Sequence, residues 1–378
     1  MRIHYKKLLH PVLIAFALSV LISDFLFAGD HKTLSIGSPA PDFNLLSTDG
    51  QMVSLASFSK SKILVIVFTC NHCPTGQAYE DRIIKLTSDY KPFGVGVVAI
   101  MPNDPKSLRL DELDFSDLGD SYEDMKIRAK EKKFNFPYLY DGDSQKVSEA
   151  YGPVATPHVF IFDEKRILRY AGRFDNMENP YKTATSNDTR DALEALIHDK
   201  IIVNPSTKVF GCSIKWSEKR ETVAKALEKW SKEPVDVESI KAERIYELIN
   251  DSSGKLQLIY SWNLGCEICE KSFPEFVSIN RMYRDRRDFE FISINFDKPE
   301  RRDEVLAFLK KNEASNKNYQ VSESKNMLKD LVPTWNGQLP FTLLIEPHSK
   351  IVYEIQGAID PAVLKKTIVE NHLIGRYP

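Results

Sequence analysis

Twice in this 378-residue chain an apolar, strand-like run leads into a Cys-x-x-Cys turn and then a helical stretch, and that repeat limits the fold more than any single motif. In the first copy Ile63 to Phe68 runs into Cys70-Asn71-His72-Cys73, and the stretch from Thr75 to about Tyr90 offers Ile83, Ile84 and Leu86 for a buried face. In the second, Leu256 to Tyr260 runs into Cys266-Glu267-Ile268-Cys269, with Phe273, Phe276, Val277 and Ile279 on the inner side of the helix that follows. Each helix precedes a further buried strand, Val95 to Met101 and Phe289 to Asn295. Later, Thr156-Pro157-His158-Val159-Phe160 corresponds to Leu339-Pro340-Phe341-Thr342-Leu343, each ahead of a second short strand and a terminal helix. Strand, redox-type turn, helix, strand, then a proline opening an antiparallel pair is the plan of a three-layer α/β sandwich, and the chain carries two in tandem.

The first sandwich is expected over residues 33–216, a charged helical linker over 217–234 and the second sandwich over 235–378. An acidic insertion from Asp111 to Asp124 lacks the spacing of a calcium loop and reads as a solvated loop. At the N-terminus Arg2, Lys6 and Lys7 precede an apolar run from Val12 to Ile22 and a small-residue step at Ala28-Gly29, the pattern of a signal peptide over residues 1–28. An uncleaved anchor is the alternative, because Leu8 to Phe27 is long enough to span a bilayer. Either way the rest of the chain is expected outside the cytoplasm, periplasmic or secreted. Lys plus Arg number 51 against 53 Asp plus Glu, a net charge of −2, which argues against a nucleic-acid partner. A mean hydropathy of −0.32 leaves no room for a bundle of membrane spans, so membrane contact is expected only through an uncleaved N-terminal segment.

Four of the five cysteines fall in the two Cys-x-x-Cys pairs. A first helical turn has unpaired N–H groups and the positive end of the macrodipole, which favour a thiolate, the attacking species in disulfide exchange. In this reading Cys70 and Cys266 are the nucleophiles, while Cys73 and Cys269, one turn on, resolve the mixed disulfide. A protonated His72 would stabilise a neighbouring thiolate and Glu267 would oppose one, so the first pair is expected to be the more oxidising and to receive electrons from the second. A four-thiolate zinc site and a purely structural disulfide are the alternatives. The separation of the pairs, each inside its own strand-to-helix repeat, counts against zinc, and no metal site or organic cofactor is expected. Cys212 is the odd thiol: a third redox partner for Cys70, a dimer bridge or a free buried cysteine. Two further functions remain open, a copper metallochaperone using Cys70, His72 and Cys73, and a protein-binding module with incidental disulfides.

The stretches "GSPAPDFNLLSTDG", "FTCNHCP", "TPHVFIFD", "YAGRFDN" and "FGCSIKW" make residues from about Ser35 to Trp216 resemble the redoxin branch of the thioredoxin superfamily, related to peroxiredoxins of the AhpC/TSA type. From about Pro234 onward the chain resembles extracytoplasmic thioredoxins. The resemblance implies two thioredoxin-like domains and thiol–disulfide exchange with protein substrates, fed by an upstream reductant. It also implies that Pro157, preceded by Thr156, and Pro340 are cis prolines beside the redox pairs. Two departures stand out. Peroxiredoxins carry Pro-x-x-x-Thr-x-x-Cys, and with Cys73 at the peroxidatic position Cys70 replaces the threonine and Ile66 the proline, which lowers a thiol peroxidase to an alternative. In the second domain Gly265 stands where thioredoxins have tryptophan and Ser261 where they have a buried aspartate, leaving Trp262 a packing role.

Overall fold

The computed structural model describes residues 31–376 apart from 178, 180–181, 251–252, 322–328 and 330–331, so the signal segment expected over 1–28 lies outside the described residues. The first half contains β1 (Asn44–Ser47), β2 (Met52–Ser54), β3 (Ile63–Phe68), α1 (Pro74–Tyr90), β4 (Val95–Met101), α2 (Tyr122–Lys132) and β5 (Tyr138–Tyr140). After these come α3 (Lys146–Tyr151), β6 (Ala155–Thr156), β7 (His158–Phe162), β8 (Leu168–Gly172), α4 (Asp188–Ile197) and β9 (Cys212–Ser213). A connecting helix α5 (Arg220–Ser231) leads to β10 (Glu238–Ile240), α6 (Ala242–Ile249), β11 (Leu256–Trp262), α7 (Glu267–Met282) and β12 (Phe289–Asn295). The chain continues through α8 (Arg302–Lys311), β13 (Lys317–Val321), β14 (Phe341–Glu346), β15 (Lys350–Gln356) and α9 (Pro361–Glu370).

Two mixed sheets result, in the orders β2-β1-β5-β4-β3-β7-β8 and β10-β13-β12-β11-β14-β15. In both, the strand ahead of the cysteines pairs parallel with the strand after the helix and antiparallel with the strand after the proline. The architecture is two tandem thioredoxin-like α/β sandwiches. A central strand covered on both faces has to be apolar throughout, and β3 reads Ile-Leu-Val-Ile-Val-Phe with all six residues buried. Its residues divide with period two: Ile63, Val65 and Val67 pack with Tyr79, Ile83 and Leu86 of α1, while Leu64, Ile66 and Phe68 pack with Tyr151, Phe160 and Phe162. In the second sheet Leu256, Leu258, Tyr260 and Trp262 meet Phe273, Phe276 and Ile279 of α7. Trp262 is fully buried, its ring centroid 5.0 Å from Phe273 and 4.9 Å from Phe308, a packing residue.

The acidic insertion is not a solvated loop. Leu110 and Leu113 pack into the core of the second sandwich, the Arg286 guanidinium lies 4.7 Å from the Phe115 ring, and Arg376 pairs with Asp117 at 2.7 Å. Ser116, Leu118 and Asp120 are buried. Asp117 is matched by Arg376 of the second sandwich, while Asp111, Glu112 and Asp120 pair with Arg109, Lys215 and His72 of the first, and Leu113 and Phe115 supply the apolar contact that a solvated loop lacks. Leu113→Ser is expected to weaken this docking by about 1–2 kcal/mol, since a half-buried leucine loses its transfer energy. Limited proteolysis of the folded protein checks it: faster cleavage within 111–119 is expected, and an unchanged rate refutes the docking role.

Candidate active site

Both Cys-x-x-Cys turns end a central strand, but they enter their helices at different points. Proline suits the first helical position and disfavours helical backbone in the residue before it. Pro74 therefore starts α1 and holds Cys73 extended, at φ −73° and ψ 120°, as the N-cap residue. The Gly76 N–H donates to Cys73 Sγ at 3.3 Å. In the second turn Glu270 follows the second cysteine, no such restriction exists, and α7 begins at Glu267 with Cys266 as N-cap. The capping sulfur is thus the second cysteine of one motif and the first of the other.

The prolines complete the equivalence. Thr156–Pro157 and Leu339–Pro340 are both cis, and the carbonyl before each proline faces the capping sulfur, Thr156 O 3.5 Å from Cys73 Sγ and Leu339 O 3.8 Å from Cys266 Sγ. Thr156 Oγ1 also lies 3.1 Å from Cys70 Sγ. Strand β9 closes the first site from the other side, with Cys212 paired to Thr156 across an antiparallel ribbon. Cys212 packs against the cluster that holds both Cys70 and Cys73, so the third thiol neighbours Cys73 as well as Cys70.

Beneath the turn sits Asp120, delivered by the insertion. Its carboxylate accepts from the backbone N–H groups of Asn71 at 2.9 Å and His72 at 3.2 Å, and from Asn103 Nδ2 at 2.8 Å. It also lies 2.6 Å from His72 Nδ1, and both side chains are buried. Burial opposes charge on each, but their mutual attraction and hydrogen bonds win: His72 is held above the ordinary histidine pKa and Asp120 below the ordinary carboxylate value. Burial likewise opposes a thiolate at Cys73. Hydrogen bonds with Cys212 and Cys70, the His72 charge and the Gly76 N–H outweigh it and hold Cys73 well below the usual thiol value. Cys70 is pushed well up by burial, then by its hydrogen bond to Cys73 and the nearby Asp120 charge, and Cys212 is pushed up by its bond to Cys73 and by burial. These surroundings favour Cys73 over Cys70 as the ionised sulfur, whereas the motif alone makes Cys70 the attacking thiol and Cys73 the resolving one; the largest favourable contributions come from Cys212 and Cys70, then from the His72 charge.

Cys266 and Cys269 form a disulfide, whereas Cys70, Cys73 and Cys212 are free thiols. Cys266 is partly exposed and Cys269 buried. Glu267 is exposed and paired with Lys271 at 2.6 Å, so its charge bears little on the second pair. Ser261 is buried with no hydrogen-bond partner for its hydroxyl. Arg173 forms an ion pair with Asp188 at 2.8 Å. Metal-type donors do converge, but from Cys70, His72 and Asp120, within 4.8 Å of one another, while Cys73 of the expected copper set turns to Thr156 and Gly76.

Residues 36–171, which contain Cys70, His72, Cys73, Asp120 and Thr156 of this first site but not Cys212, match the AhpC/TSA family. They form an AhpC/TSA-family domain. That places the first site in a redox-enzyme class, the redoxins. Among solved structures, the chain is similar to a hypothetical protein from Sinorhizobium meliloti 1021, at 33% identity over 49% of this chain and 97% of that one, with a TM-score of 0.44. An uncharacterized conserved protein from Geobacillus kaustophilus is 35% identical over 49% of this chain and 94% of that one, TM-score 0.44. The thioredoxin domain of a thiol-disulfide oxidoreductase from Bacteroides vulgatus is 22% identical over 36% and 86%, TM-score 0.30. No curated protein matches the chain. Within the AhpC/TSA domain the residue that sequence reasoning missed is Asp120, hidden in a run of acidic residues; Pro74, by contrast, was a readable signal for Cys73 as the helix cap.

Proposed function

We propose that the chain is an extracytoplasmic thiol–disulfide oxidoreductase that exchanges disulfides with protein thiols through two centres, Cys70/Cys73 and Cys266/Cys269, with electrons passing from the second to the first. The supporting observation is the doubled geometry of a helix-capping sulfur facing the carbonyl before a cis proline. At the second centre a partner's thiolate attacks the partly exposed Cys266 sulfur and Cys269 leaves as thiolate. The partner's second thiol then releases Cys266, so the partner gains a disulfide and the centre two electrons. The reduced second centre passes those electrons to a disulfide of the AhpC/TSA domain. Cys73, stabilised as thiolate beside His72, makes that domain the better electron acceptor, because stabilising the thiolate stabilises the reduced form. Export rests on the N-terminal sequence alone, and N-terminal sequencing of the protein from cell fractions tests it.

The test of the relay is a redox titration of the mature protein in glutathione or dithiothreitol buffers, with each cysteine read by alkylation and mass spectrometry. Both pairs are expected to cycle at distinct potentials within roughly −120 to −300 mV, the first pair higher. A lower potential for the first pair reverses the relay, and failure of either pair to cycle defeats the two-centre reading. A second reading, thiol peroxidase, is favoured by one observation: Cys73, whose surroundings favour its thiolate, lies within the residues that match the AhpC/TSA family. Peroxide consumption by the reduced protein separates the two.

A further inference from the structure

Neither sulfur of the first centre is open to a protein partner. Cys70 is 2% exposed and Cys73 is 0% exposed. A thiolate from another protein has to reach a sulfur in line with the bond it breaks, and two buried sulfurs offer no such approach. Of the three free thiols at the first site, Cys212 alone is partly exposed. It lies on β9, a two-residue strand, beside β6, and Val154 just before β6 is half exposed.

The backbone is built to bring Cys212 inward. Gly211 takes φ +127°, and a Cβ there would fall 2.0 Å from Thr156 O, so only glycine lets β9 close onto the residue that both other thiols touch. Thr156 Oγ1 also donates to Cys212 O at 3.5 Å. Around this one threonine three cysteines meet: Cys70 touches its hydroxyl, Cys73 its carbonyl, and Cys212 is its partner across the β6–β9 ribbon.

We propose that Cys212 is the thiol through which the buried Cys70/Cys73 centre exchanges electrons with protein partners, by forming a disulfide with Cys73. The proposal rests on the oxidoreductase reading above and adds the route. In the oxidised domain the Cys212 thiolate attacks Cys73 Sγ and Cys70 leaves, taking up the proton that Cys212 gave up; Cys70–Cys73 becomes Cys73–Cys212 with no net change of oxidation state. A dithiol protein then attacks Cys212 Sγ, the sulfur of the partly exposed residue, the S–S bond breaks, and Cys73 leaves as thiolate. The partner's second thiolate attacks its own sulfur in the mixed disulfide and frees Cys212, which takes a proton. The partner ends as a disulfide, having lost two electrons, and Cys73 and Cys212 are reduced. Attack falls on Cys212 because Cys73 is fully buried while Cys212 is partly exposed.

Two variants of the full-length protein test this. In Cys70→Ser, equilibrated with glutathione disulfide, non-reducing peptide mapping is expected to find Cys73 joined to Cys212; their absence from one another overturns the proposal. In Cys212→Ser, oxidised at Cys70/Cys73, reduction by a thioredoxin-type dithiol protein is expected to slow at least about tenfold, because the partly exposed thiol is gone. Reduction as fast as in the native protein overturns the route while leaving the oxidoreductase reading intact. If the native Cys70/Cys73 pair fails to cycle in the redox titration, the oxidoreductase reading is what fails.

Discussion

Replacing Cys73 by serine is expected to lower disulfide exchange at the AhpC/TSA domain by about a thousandfold or more, the scale seen when a covalent nucleophile is removed. Replacing Cys70 should cost far less in the reactivity of the resting thiolate. The reason is local. Cys73 is the N-cap of α1, accepts from the Gly76 N–H, and is flanked by Cys70, Cys212 and the His72 charge, all of which favour its ionised form. Cys70 has the opposite surroundings, buried and close to the Asp120 carboxylate, and its pKa is raised. The measurement is the rate of alkylation of the reduced domain in mildly acidic buffer, together with its ultraviolet thiolate absorbance. Cys73→Ser should abolish the fast phase and the absorbance, and Cys70→Ser should retain a fast phase. A fast phase that survives in Cys73→Ser and vanishes in Cys70→Ser would restore the motif's own order.

Asp120→Ala should destabilise the protein by about 3–5 kcal/mol, the cost of leaving one half of a buried ion pair without the other. Asp120 accepts from two backbone N–H groups of the redox turn as well as from Asn103 and His72, so its loss leaves donors unpaired at the point where the turn meets the helix. His72 would then be buried without a counter-charge and would shed its proton, raising Cys73 and emptying the resting thiolate. The effect has a pH signature. Asp120 is depressed, so its contribution is complete above its unfolded pKa and is lost as pH falls through the folded one. His72 is raised, so its contribution is complete below its unfolded pKa and is lost as pH rises through the folded one. With unfolded values of about 3.9 and 6.5, the pair contributes fully between them and fades on either side. Urea unfolding of native and variant protein should therefore differ most in mildly acidic buffer and less as pH climbs above the raised His72 value. A difference that grows towards alkaline pH would contradict the charged pair.

Much of this was readable in one dimension, and for a physical reason. Strands β3 and β4 fall where the apolar runs end, because a strand covered on both faces leaves no polar position to blur its boundaries, and β12 has its expected bounds although it carries Glu290, Ser293 and Asn295. Helix α1 begins one residue ahead of the expected Thr75, at the proline that cannot be an interior helical donor. The stretch from Asp188 to Ile202 is amphipathic in sequence, yet α4 stops at Ile197, where the polar His198-Asp199-Lys200 follows and Ile201 beyond it is 90% exposed. Helix α5 occupies Arg220–Ser231 inside the charged stretch Glu218 to Lys232, whose i, i+4 pairs such as Glu221 with Lys225 and Glu228 with Lys232 are visible in the sequence.

What the sequence by itself determined is the strand–Cys-x-x-Cys–helix plan, made twice. Apolar period, turn chemistry and helix-start signals are local and leave their mark in consecutive residues. What only the tertiary structure decided is which groups surround the first pair, and hence which of its sulfurs they favour as thiolate. Asp120 lies 48 residues from His72, and Cys212 reaches the site by strand pairing with Thr156, |i−j| of 56 away. Electrostatic neighbours across such gaps are brought together by folding of the insertion and β9 against the core, and a field that depends on distance in space is not written in the spacing along the chain.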